Sequence, residues 1–223
     1  MIWKINVLVK RKFREIFQNQ LCKKDILLLK NKNFVIIANN CWGGEIYHWF
    51  KRPYNTPFIG LYLNGSCFVK LLSNFNHYMS QELKFVNSSA YSAIAPNYPV
   101  ALLDDAEIHF LHYNSEEEAR EKWTRRTSRM FEESNMDNYF FKICDLNDGS
   151  ESVLKKFHSL PFRNKISFGV KNYASLKDKN HIKIRESDKN EGLHVPNGVK
   201  LFKLTFLYFD IPNWLNNQGK RTS

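Results

Sequence analysis

The feature that most limits how this chain can fold is one junction near its start. Asn33-Phe-Val-Ile-Ile-Ala-Asn39 runs into Asn40-Cys-Trp-Gly-Gly44 and then Glu45-Ile-Tyr-His-Trp-Phe50. An apolar, β-branched run with no polar alternation reads as a strand buried on both faces. The two glycines permit a tight turn, after which apolar residues recur at helical spacing. Strand, turn and helix in that order open a βα unit.

The rest of the chain repeats the alternation. Strands are expected at 58–63, 83–86, 100–103, 106–112, 139–144 and 165–170, with a short one near Ile182–Ile184. Helices are expected at 65–78, 151–157 and from Asp210. Asp104-Asp105 separates two strands as a turn. Ser115-Glu-Glu-Glu118 is a capping box, in which hydroxyl and carboxylate satisfy free amides at a helix start. It opens a helix over 116–131, with acids in the first turn and Arg120, Lys122, Arg125, Arg126 and Arg129 later, as the helix dipole favours. The expected fold is α/β: three layers, a mainly parallel or mixed sheet with helices on both faces, in a single domain. That domain spans 33–217, between a basic amphipathic arm at 1–32 and a tail at 218–223. A polar stretch at 177–197 reads as a loop.

Charge bears on partners. The net charge is +11, and residues 1–32 carry nine Lys and Arg against Glu15 and Asp25, so most of the excess sits in the arm. Val9, Phe13, Ile16, Phe17 and Leu21 recur there near helical spacing. A basic amphipathic segment of this kind suits either an anionic bilayer or its own domain. The remainder is only mildly basic, which argues against a nucleic-acid groove. Four cysteines show neither paired nor metal-ligand spacing, and neither a secretory leader nor a membrane-spanning run is legible. The expected location is cytoplasmic with reduced thiols, extending to the inner face of the membrane.

Chemistry-bearing residues gather at the ends of the expected strands, the edge where open α/β sheets bind ligands. Cys41 follows a strand and precedes a helix, a setting that lowers a thiol pKa. Gly43 and Gly44 allow close approach to the backbone, and Asn39 and Asn40 carry donors for an oxyanion. The alternative is a small residue in a tight turn whose glycines serve geometry alone. His112, near the end of its strand, is the expected base for Cys41, and His109 has Glu107 two residues away to fix its tautomer. Each histidine also reads as an ordinary hydrogen-bonded core or rim residue. Trp42, Tyr54, Asn55, Tyr113, Trp123 and Arg126 complete the expected substrate-binding set, although Trp123 suits a core and most arginines of 116–131 suit a solvated face. Asp105 and Glu107 form an acid-x-acid pair of the kind that holds a divalent cation in nucleotide-sugar transferases.

Phe34 to Gly44, Pro53-Tyr-Asn-Thr-Pro-Phe-Ile-Gly-Leu61, Ile108-His-Phe-Leu-His-Tyr113, Glu116 to Arg126 and Phe209-Asp-Ile-Pro-Asn-Trp-Leu-Asn216 together resemble a bacterial family of unknown function, whose members are often labelled exopolysaccharide biosynthesis proteins. Ala38 departs from the serine expected there. The resemblance implies an α/β fold and a transferase role in exopolysaccharide or capsule assembly, with acyl (acetyl) transfer to a sugar suggested for some members. The partner it implies is a saccharide or lipid-linked saccharide, and it names neither cofactor nor metal. Glycosyl or sugar-phosphate transfer and a non-catalytic saccharide-binding scaffold are the competing readings.

Overall fold

The computed structural model describes residues 9, 10, 12–186 and 193–216. The tail at 218–223, most of the arm before Lys12 and part of the 177–197 loop lie outside the described residues.

Strand β1 (Val35–Ala38) pairs in parallel with β5 (Tyr139–Cys144), which pairs with β6 (Asn164–Gly169), which pairs with β7 (His181–Lys183). The order β1-β5-β6-β7 is parallel throughout. Period-two alternation sorts the side chains into two cores. Ile36, Ala38, Phe140, Ile166 and Phe168 face one layer, built from α2 (Trp42–Trp49), α7 (Gly198–Thr205) and α8 (Ile211–Asn216). Val35, Ile37, Tyr139, Phe141 and Ile143 face the other, which contains α3 (Gly65–Ser73), α4 (Phe75–Met79), α5 (Glu116–Phe131) and α6 (Glu151–Ser159). Helices therefore cover both faces of the sheet, as three layers require.

A smaller antiparallel sheet, β2 (Lys84–Val86), β3 (Val100–Leu103) and β4 (Ala106–His109), lies in the long connection from β1 to β5. Asp104 takes φ 53° in the β3–β4 turn, a conformation that aspartate tolerates better than most residues. The expected strand at 58–63 is reduced to one bridge, Tyr62 with His109, because Pro57 and Gly60 (φ 71°) break its extension. Tyr62 and Leu63 nevertheless stitch the sheets together: Tyr62 exchanges hydrogen bonds with His109, and Leu63 N–H donates to Asn39 O at 3.0 Å. The expected helix at 65–78 divides at Asn74 (φ −136°) into α3 and α4. α5 matches its expected bounds, with Ser115 Oγ accepting from Glu118 N–H, a cap typically worth about 1 kcal/mol.

The arm folds back on the domain. In α1 (Gln18–Leu28), the Cys22 thiol donates to Trp49 O (2.9 Å), and Asp25 accepts from the Trp49 indole (2.9 Å). The Arg14 guanidinium sits 3.7 Å from the Phe206 ring centre. Val9, Phe13 and Ile16 remain more than half exposed.

β1 and β5 are neighbours, yet the helices that follow them leave to opposite faces: α2 joins one core and α6 the other. Their carboxyl ends form the edge at which open α/β sheets commonly hold ligands.

Candidate functional site

The chain ends of β1 and β5 bring buried polar groups together at that edge. Lys142 is fully buried on β5, and its Nζ donates to Asn40 Oδ1 (2.9 Å) and Asn39 Oδ1 (3.2 Å). It also lies 5.8 Å from the Trp42 ring centre. Asn40 Nδ2 donates to Cys144 Sγ at 3.2 Å, and Asn40 Oδ1 also accepts from Trp42 N–H. The nearby Asp145 carboxylate is occupied by the N–H groups of Val170 (2.7 Å) and Val195 (2.8 Å). Among the described residues Lys142 makes no ion pair with a carboxylate. A buried ammonium held only by neutral acceptors is costly, so burial pushes the Lys142 pKa down toward the free amine.

The close packing here follows from glycine. A Cβ on Gly198, the first residue of α7, would stand 2.5 Å from Trp42 N, so the starts of α7 and α2 are in backbone contact. A Cβ on Gly43 would press on Ala38 Cβ (3.0 Å) and Ile36 Cγ2 (3.2 Å), which keeps α2 tight against β1. Gly43 and Gly44 thus belong to the first turn of α2 rather than to an open loop. The Gly43 N–H faces Asn40 O at 3.4 Å. Trp42 is fully buried, its indole N–H donating to Thr205 Oγ1 (2.9 Å). Among the described residues, two buried amide donors at this edge, Asn39 Nδ2 and Asn64 Nδ2, have no partner.

Cys41 is the half-buried residue that opens α2. Its thiol pKa is not lowered as the sequence suggested. Burial pushes it up and outweighs Lys142, whose charge pulls it down. Burial therefore disfavours both charged forms, the Cys41 thiolate and the Lys142 ammonium, while the charge of each favours the other.

Neither histidine joins Cys41 by a hydrogen bond. β4 ends at His109, short of the expected 112, because the chain turns there to bury Phe110 and Tyr113. That turn leaves His112 exposed, with its N–H on Gly60 O (3.0 Å). His109 is 1% exposed and forms a second cluster: Nε2 lies 2.7 Å from Glu107 Oε1, Tyr62 stacks on the ring at 4.3 Å, and Tyr98 OH lies 3.4 Å from Nδ1. Glu107 is held by Ser89 Oγ (2.5 Å) and Ala90 N–H (2.9 Å). Asp105, exposed, pairs instead with Lys70 (2.9 Å) and Tyr78 (2.7 Å). The two acids serve different partners, and among the described residues no three His, Cys, Asp or Glu form a metal-binding group.

Tyr54, Asn55, Tyr113 and Arg126 form one network that fixes the loop after α2. Tyr113 OH donates to Ile59 O (2.6 Å) and accepts from Arg126, whose guanidinium also lies 5.0 Å from the Tyr54 ring centre. Asn55 Oδ1 accepts from Tyr47 OH (2.5 Å), and its Nδ2 donates to Phe34 O. Trp123 packs on Phe58 and Phe110 in the core. Sequence reasoning missed Lys142, although a lysine inside Tyr-Phe-Phe-Lys-Ile-Cys144 is a signal: a charge within an otherwise apolar strand demands an explanation.

The chain resembles an uncharacterised protein of Haemophilus influenzae (strain Rd), at 36% identity over 218 residues, covering 96% of this chain and 97% of that one. A family model described as a domain of unknown function (DUF1919) matches residues 12–216, most of the arm included. Matched over nearly its whole length, the chain belongs to the DUF1919 family.

Proposed function

We propose that the protein is a transferase of bacterial exopolysaccharide or capsule assembly, moving an acyl group to a sugar hydroxyl by way of a Cys41 thioester. The observation that carries this reading is Lys142, a buried amine with neutral acceptors only, held by the residue that precedes Cys41. In this scheme the Cys41 thiol gives its proton to Lys142 as sulfur bonds the acyl carbon. The donor's leaving group departs with that proton. A sugar hydroxyl then attacks the thioester, and its proton returns to the sulfur. Lys142 takes the base role expected of His112. Asn39 Nδ2, a buried donor without a partner, is the group available to the developing oxyanion.

The acceptor in this reading is a saccharide or lipid-linked saccharide. Exposed Val9, Phe13 and Ile16 beside Lys10 and Lys12 support a seat at the inner face of an anionic membrane. No helix among the described residues is long and apolar enough to cross one.

Acetyl-CoA is the probe. Wild-type protein is expected to gain an acetyl mass on the Cys41 peptide, slowly in Lys142→Met and not at all in Cys41→Ser. Unchanged polysaccharide acylation in cells whose sole copy carries Cys41→Ser would overturn the proposal.

A further inference from the structure

Outside the Cys41–Lys142 cluster, the second buried cluster leads outward to a surface cleft. Glu107, His109 and Tyr98 stand in series. Glu107 and His109 are almost completely buried, while Tyr98 is partly exposed and lines a cleft of about 430 Å³ between the 86–100 segment and the start of α5. Glu107 Oε1 stands 2.7 Å from Nε2 without hydrogen-bond alignment, and its charge favours the tautomer with the hydrogen there, which leaves Nδ1 facing the Tyr98 hydroxyl at 3.4 Å. Tyr62 OH lies 3.2 Å from Tyr98 OH, behind the cleft lining.

The remaining lining states what the cleft accepts. Asn87, Asn97 and Asn114 supply amides, and Glu116 and Glu117 supply carboxylates; neither lysine nor arginine lines it. Carboxylates repel a phosphate or an organic acid and accept from hydroxyl groups. Amides both donate and accept, matching a ligand in which every hydroxyl does the same. The complementary ligand is an uncharged polyol.

We propose that this cleft binds an uncharged sugar of the acceptor saccharide, and that Tyr98 holds one of its hydroxyls, with His109 and Glu107 positioning the phenol. The proposal takes only the saccharide class from the functional reading above and needs no chemistry at Cys41. A hydroxyl bound at Tyr98 donates to the phenol oxygen while the phenol donates to Nδ1, so the bound hydroxyl oxygen becomes richer in electron density. The imidazole is faced by Glu107 from its own strand, Tyr62 from the segment after α2 and Tyr98 from the segment before β3. Protonation of Nδ1 removes the acceptor and turns the Tyr98 hydroxyl away. Because burial lowers the His109 pKa, that loss falls on the acid side of the ordinary histidine range.

The test is calorimetric binding of a panel of neutral monosaccharides (glucose, galactose and N-acetylglucosamine) and of glucose 1-phosphate to the full chain. At least one neutral sugar is expected to bind more tightly than the phosphate. Tyr98→Phe is expected to weaken that binding at least tenfold with an unchanged circular dichroism spectrum. Glu107→Gln is expected to displace the acid limb of the binding-versus-pH curve, a readout that a merely structural role would not move. Cys41→Ser is expected to bind the sugar as the wild type does, which separates this proposal from thioester chemistry. Tighter binding of glucose 1-phosphate, no binding by any neutral sugar, or full affinity in Tyr98→Phe would overturn it.

Discussion

At the β1–β5 edge a lysine is buried among amide oxygens, thiols and an indole face, while on β4 a histidine is buried against a carboxylate that Ser89 and Ala90 also hold. Both clusters exclude water, yet they balance charge differently. The His109 cluster sets a carboxylate held by Ser89 and Ala90 against a neutral imidazole and passes polarity outward through Tyr98. Among the described residues the Lys142 amine has no carboxylate in ion-pair contact, only the more distant charge of Asp145. A protein keeps such a group where the free amine is useful, because apolar replacement would otherwise be cheaper.

The contrast can be broken most forcefully at the wall of the Lys142 cluster. Trp42→Ala removes the wall over Lys142 and the anchor to Thr205, and should cost about 3–5 kcal/mol in denaturant unfolding. A loss below about 1 kcal/mol would mean that the indole is not part of the packed core.

The sharper test compares the two charges directly. Glu107→Gln leaves Ser89, Ala90 and His109 with a poorer acceptor and should destabilise by about 1–3 kcal/mol. Lys142→Met removes an amine that pays for its own desolvation, and should leave stability at neutral pH equal or higher. The pH dependence follows from linkage. A lysine whose folded pKa is lowered binds fewer protons folded than unfolded between that value and the ordinary lysine pKa. Wild-type stability should therefore climb as pH rises through that window, and Lys142→Met should flatten the climb. Equal losses in the two variants would erase the distinction.

How much of this was legible in sequence divides along the same line. The β1–α2 unit and α5 were readable because local signals, a β-branched run and a capping box, coincide with their tertiary roles. The split at Asn74 and the shortening of 58–63 depend on backbone angles that apolar spacing does not encode. Cys41 and Asn40 were placed at the right edge, but their true neighbour, Lys142, is over a hundred residues away and joins them only through parallel pairing of β1 with β5. His112 was misplaced because Phe110 and Tyr113 turn inward and carry it out of the strand. Asn55, Tyr113 and Arg126, read as pocket residues, tie down the loop after α2, and Asn55 also lines a surface cleft of about 340 Å³.

The smallest effect belongs to the solvent face. Lys122 pairs with Glu118 on α5, a partly exposed i,i+4 contact at 2.5 Å, and Lys122→Ala should change stability by less than about 0.5 kcal/mol. A larger loss would show that surface charge, rather than the buried clusters, carries the electrostatic stability.

The central claim is that Lys142 governs the Cys41 thiol. The direct measurement is the rate of iodoacetamide alkylation at the Cys41 peptide against pH, in wild type and Lys142→Met. Lys142→Met is expected to move the reactivity midpoint to higher pH, since the ammonium that stabilises the thiolate is gone while burial still disfavours it. Superimposable profiles would contradict it.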